Sequence, residues 1–209
     1  MPSGTTYQDS RIGACARLVC EEPETFRHIV QECRSTERQV IWRAADELWK
    51  TRYKEDLPTT EGAVLGCGLA NFTRPDGKPD SAKNRLYRIL ISESAHLIWV
   101  LRCERRIRNE DTENHSERAI YNKWHNKINS RMQVDCLLTN VFLFEKKALK
   151  TKLVHDTWAG CSTNKESVHR DWCRSPGVLV GKGPGRPEGH NRRRPPRPSA
   201  GTQSHTGLR

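Results

Sequence analysis

The chain has 209 residues, of which 34% are hydrophobic and 29% charged, and its formal net charge at pH 7 is +11. That length holds one ordinary domain with a small extra module, and so low an apolar share excludes a large core. No run approaches the roughly 18 consecutive apolar residues of a bilayer-spanning helix, so a helical membrane protein is excluded and no membrane partner is expected.

Residues 1–14 read as a loose lead-in without the charged and apolar regions of a secretory signal, so an intracellular, reducing setting is expected. Residues 15–56 follow as a cysteine-bearing region with the first helices. After Cys20, Glu21-Glu22-Pro23-Glu24 places carboxylates and a proline where a helix begins. Phe26, Ile29, Val30 and Cys33 then recur at helical spacing, which puts His28 and Cys33 on or just after a short helix. A capping box at Thr36-Glu37-Arg38-Gln39 opens the next helix, with Val40, Ile41, Ala44, Ala45, Leu48 and Trp49 as its apolar stripe. It ends before Pro58.

Residues 57–82, rich in Gly, Pro, Thr and Asp, read as a long loop or linker. A helical domain is expected over 83–181. Asp80 or Ser81 caps a helix over 82–108 that is apolar on most sides, as a buried central helix is. Its last turn, Arg102 to Arg108, puts cations where the helix dipole favours them. A helix near 116–132 carries Ile120, Trp124 and Ile128, and another near 135–156 carries Leu137, Leu138, Val141, Phe142, Ala148, Leu149, Leu153 and Val154. Val178-Leu179-Val180 reads as a short strand or docking segment. From Lys182 to Arg209, Gly, Pro, Arg and Ser dominate, the composition of a disordered basic tail. The fold class is therefore mainly α: a small N-terminal zinc knuckle, about four helices, and that tail.

The chemistry concentrates in Cys15, Cys20, His28 and Cys33, spaced Cys-x4-Cys-x7-His-x4-Cys. Three thiolates and one imidazole complete a tetrahedral Zn²⁺, and a closed set of four protein ligands is structural, because a catalytic zinc keeps one position open. In an ideal helix positions i and i+5 lie about 140° apart, so His28 and Cys33 can share an ion only if the helix between them is distorted. The alternative is buried free cysteines beside a surface histidine.

The run from Cys20 through Glu24, Thr25 and His28-Ile29-Val30 to Cys33 resembles the zinc-binding region that follows the polymerase in reverse transcriptases of non-LTR retroelements. That region reads C-x2-C, an acidic stretch with Glu-Thr, then H-I-L-x2-C. Residues 90–107, together with Trp124 to Arg131, Lys146 to Leu149 and Gly177 to Gly181, are similar to the C-terminal part of fungal retroelement proteins with reverse transcriptase and ribonuclease H domains. The resemblance spans roughly 15–181. It implies structural zinc and a role in nucleic acid binding or protein assembly. It places the first cysteine near Arg17, two residues after Cys15. The chain lacks the Tyr-x-Asp-Asp carboxylates of a polymerase: Tyr7-Gln8-Asp9-Ser10 has no second aspartate. No ribonuclease H-like alternating β pattern is present either, so a non-catalytic fragment is expected rather than an enzyme.

Other signals are weaker. Glu93-x-x-His96 and Glu166-x-x-His169 repeat the pair that di-iron helical bundles use, but no further inward glutamates accompany them. Trp42, Trp49, Trp99 and Trp124 fall on helical stripes and read as core. The tail holds seven of the chain's cations against the single carboxylate of Glu188, more than half of the net charge. In it Arg192, Arg193, Arg194 and Arg197 read as RNA or DNA phosphate contacts, as a nuclear-localisation-like patch, or as a solubilising tail. The competing function is a helical scaffold without affinity for nucleic acid.

Overall fold

The structure, a computed structural model, describes Cys20, residues 22–108 and residues 115–161. Residues 1–14, Cys15, the Val178–Val180 segment and the basic tail lie outside the described residues. The protein is mainly helical. A π turn over His28–Glu32 leads into α1 (Thr36–Tyr53), α2 (Glu61–Leu65), a 3₁₀ turn (Cys67–Leu69), α3 (Ser81–Arg108), α4 (Glu117–Leu137), α5 (Val141–Phe144), a second 3₁₀ turn (Glu145–Lys147) and α6 (Thr151–Trp158).

Caps account for most of the boundaries. The Ser35 hydroxyl accepts the Arg38 N–H at 3.2 Å, so α1 starts one residue earlier than a Thr36 cap requires. The helix stops where Lys54 turns left-handed, at φ 59°. Thr60 caps α2, Asp80 accepts the Lys83 N–H at 2.9 Å at the start of α3, and Ser116 caps α4.

α3 is the centre of the molecule, in contact with α1, α4, α6, α2 and both turns that precede it. Leu86, Leu90, Ile91, Ile98 and Leu101 bury its faces against the stripe Val40, Ile41, Ala44, Ala45, Leu48 and Trp49 of α1 and against Ile120, Trp124, Ile128 and Met132 of α4. All of these belong to one continuous core, so the cysteine-bearing region and the helical domain are packed together.

Residues 57–82 form a structured, folded-back segment. Besides α2 and the 3₁₀ turn, residues 72–80 make a tight loop: Asp80 N–H donates to the Phe72 carbonyl at 2.8 Å, and Gly77 supplies the φ of +76° that the tip requires. The loop delivers Phe72 onto Trp49 and Tyr87, and the Lys83 ammonium sits 4.9 Å from the ring centres of both Tyr53 and Phe72. Gly and Pro here serve tight turns against the core.

The expected helix over 135–156 is broken. α4 ends at Leu137, and Asn140 accepts the N–H groups of Phe142 and Leu143 to cap a single new turn. Leu137, Val141, Phe142 and Leu143 are exposed, so their helical spacing does not reflect a buried stripe. Trp99 also departs from expectation: it is 44% exposed, with the Arg102 guanidinium 5.3 Å above its ring, while Trp42, Trp49, Trp124 and Trp158 are buried.

A buried carboxylate ties three helices together. Asp135 of α4 is wholly buried and accepts from both terminal nitrogens of Arg85 on α3, one at 2.7 Å, and from the Trp158 indole of α6 at 2.9 Å. Such a pair is neutral at best against a well-packed apolar substitute, but removing one partner strands the other charge. We therefore expect Asp135→Ala to cost about 3–5 kcal/mol in urea denaturation and Asp135→Asn, which keeps an acceptor for the indole, distinctly less.

Candidate metal centre

Cys20, His28 and Cys33 converge. Their ligand atoms lie within 4.8 Å of one another, and Cys20 Sγ is 3.2 Å from His28 Nε2. His28 and Cys33 are buried and Cys20 is half-buried. The spacing problem between His28 and Cys33 is solved by the backbone. Instead of continuing as an α-helix, the chain widens, and the Cys33 N–H donates to the His28 carbonyl, five residues back, at 2.7 Å. One extra residue per turn brings i and i+5 onto a common side. Cys33 then leaves the helix with ψ 129°.

Neighbouring groups hold the wide turn from several directions. The Thr25 hydroxyl accepts the His28 N–H at 3.0 Å, and the Val30 carbonyl accepts the Trp42 indole N–H of α1 at 2.8 Å. Arg38 Nε donates to the Cys33 carbonyl. Burial depresses the Arg38 pKa, and the adjacent Cys33 sulfur opposes that shift. Ile29 and Val30 fasten the turn into the core.

The end of α3 clamps the same loop. The Glu24 carboxylate, 4% exposed, accepts from Arg102 and, at 2.9 Å, from Arg106, while Glu37 in the first turn of α1 pairs with Arg105 at 2.6 Å. Burial pushes the Glu24 carboxyl up, but the two guanidiniums more than offset this and hold it below the usual carboxylate range. Sequence reading assigned these arginines to the helix dipole and missed the clamp. Its signal was present as a carboxylate before the metal loop and a cluster of three arginines on one helix end, but pairing them requires the fold.

The donor set suits a metal ion. Tetrahedral zinc, with bonds of about 2.3 Å to sulfur and 2.0 Å to nitrogen, holds its donors roughly 3.5–3.8 Å apart, and the 3.2 Å contact and 4.8 Å envelope of this group bracket that range. Adjustments of about an ångström or less bring the donors into that range. Cys15, the fourth expected ligand, lies outside the described residues, as do Arg192, Arg193, Arg194 and Arg197 of the basic tail. Among the described residues no other group gathers three such ligands. Cys161 is a poor donor, because burial pushes its thiol up to about 11 despite the nearby Arg52. The di-iron pattern does not assemble among the described residues: Glu93 pairs with Lys127 at 3.1 Å and His96 is exposed, while Glu166 and His169 lie outside them.

A depressed folded-state pKa makes Glu24 stabilising above its unfolded value, near pH 4.3, with the contribution lost as pH falls through the lower folded value. Glu24→Gln should therefore cost about 2 kcal/mol at neutral pH, and the gap to the unsubstituted protein should close on acidification below about pH 4. Urea melts at several pH values measure both.

No protein-family model, curated protein or solved structure matches this chain significantly.

Proposed function

We propose that the protein is a non-catalytic helical module, stapled by a structural zinc ion, that assists nucleic acid binding, as its resemblance to the zinc-binding region of non-LTR retroelement reverse transcriptases implies. The observation that carries this reading is the π turn that sets His28 and Cys33 beside Cys20. Two soft thiolates with an imidazole favour zinc over oxygen-seeking cations, and two thiolates balance its charge. Cys20, His28 and Cys33 would hold the ion, with Cys15 as the fourth ligand that the sequence spacing suggests. A site closed by protein ligands cross-links the chain and offers no place for substrate. The net charge of +11, concentrated toward the tail with Arg192, Arg193, Arg194 and Arg197, suits a polyanion partner.

Metal analysis of the purified protein should find about one equivalent of zinc, and Cys20→Ser or His28→Ala should lower the content well below that. Because Trp49, Leu86 and Trp124 form a core that does not depend on the ion, chelation should loosen the 20–33 loop and lower Tm while far-UV helicity persists. Unstructured RNA or DNA should bind at 50 mM salt and roughly tenfold or more weakly at 200 mM. Iron in place of zinc would overturn the metal assignment. Absent or salt-insensitive binding would favour the helical scaffold.

A further inference from the structure

α4 and α6 are joined by a protrusion whose neck is tied by the Leu149 N–H donating to the Leu138 carbonyl at 2.8 Å. At its tip Val141, Phe142 and Leu143 turn outward, and Phe142 is 92% exposed, a placement that burial of apolar surface disfavours. The next residue but two, Glu145, is held at φ 46° and ψ −124°, a left-handed region that side chains with a Cβ rarely occupy. Strain of this kind persists where surrounding structure imposes it, and it clusters at functional sites. Beyond Glu145 the chain presents Lys146, Lys147 and Lys150, all exposed and none paired with a carboxylate among the described residues. Lys152, by contrast, is neutralised by Asp156 at 2.8 Å. Nothing in the core needs this turn, since α5 packs chiefly on the 3₁₀ turn that follows it.

We propose that this protrusion is a contact surface for single-stranded nucleic acid, with Phe142 as the stacking platform and Lys146, Lys147 and Lys150 as the phosphate contacts. The inference rests on the nucleic acid reading above and gives it a place on the folded body. A flat aromatic ring free on both faces, flanked by unpaired cations, is the combination that grips unpaired bases without reading their sequence. The charge is complementary to a polyanion: Glu145 is the only carboxylate between Leu138 and Leu149. A convex tip fits between splayed bases, whereas a duplex stacks its bases internally and offers the ring nothing.

The test uses the full chain and a fluorescent oligouridylate of about 20 nucleotides, long enough for a site of ordinary size. Phe142→Ala should weaken binding about 5- to 100-fold, the range that loss of one base stack gives, and far-UV circular dichroism should be unchanged because the side chain is exposed. Replacing Lys146, Lys147 and Lys150 with alanine should flatten the slope of log K against log salt by about 2, from three phosphate contacts at roughly 0.7 each. An oligonucleotide carrying 4-thiouridine should cross-link to the peptide containing Phe142. Salt-sensitive binding that survives both variants, with cross-links confined to other peptides, would overturn this surface and leave the proposed function standing. No binding by the unsubstituted protein would overturn both. Phe142-dependent binding to anionic phosphatidylserine vesicles, without oligonucleotide binding at the tip, would also overturn the proposal and assign the protrusion to a lipid surface.

Discussion

A helix of 28 residues that is apolar around most of its circumference must be covered on most sides, and α3 sets that requirement for the whole molecule. α1 and α4 meet this need along its length, α6 closes a third side, and the folded 72–80 loop brings Phe72 over the junction of α1 and α3. The polar content of the core follows from the same crowding. The buried Asp135 is tolerable because Arg85 and the Trp158 indole satisfy it, and the Trp124 indole reaches the buried Ser94 hydroxyl at 2.9 Å. The indole–polar pairs fix how α6 and α4 sit on α3, a directional role that the apolar contacts alone do not have.

The loop that carries Cys20, His28 and Cys33, the candidate metal ligands, sits at the far end of that helix. Its position is set by protein contacts: Arg102 and Arg106 on Glu24, Arg105 on Glu37, and the Trp42 indole on the Val30 carbonyl. These contacts orient the chain that carries the ligands, as hydrogen-bonded neighbours do around metal sites generally. The π turn departs from the regular i→i+4 pattern, and the groups around it supply the stabilisation that regular helix geometry would otherwise give. The fold thus gathers the three candidate donors within 4.8 Å of one another.

The legible and illegible parts of the sequence divide along a physical line. Periodic burial identified α1, α3 and most of α4, because the residues that recur there do face the core. The need for distortion between His28 and Cys33 was also legible, since it follows from helix geometry alone; that a π turn supplies it was not. Periodicity misled over 135–156, where Leu137, Val141 and Phe142 recur like a stripe yet point outward, and where α4 ends at Leu137 and Asn140 caps a separate turn. Trp99 was misplaced for a related reason: hydrophobicity placed it inside, but the Arg102 guanidinium shelters its ring at the surface. Composition marked 57–82 as mostly loop, and its Gly and Pro serve tight turns folded against the core, a placement that composition does not encode. The Glu24–Arg102–Arg106 clamp joins groups about 80 positions apart in the chain, and no local pattern encodes such a contact.

Pairing also changes what the net charge means. Arg85, Arg102, Arg105, Lys83 and Lys127 all face carboxylates within the fold, so these cations are spent on holding helices and loops together. They add little field at a distance, because each is matched by a nearby negative group. The potential that a polyanion would meet is therefore set by cations without such partners, and among the described residues Lys146, Lys147 and Lys150 are of that kind. A formal charge of +11 spread evenly over the body would attract anions without preference for a place. Internal neutralisation of these structural cations leaves Lys146, Lys147 and Lys150 among the charges that still contribute to the field, beside the exposed Phe142.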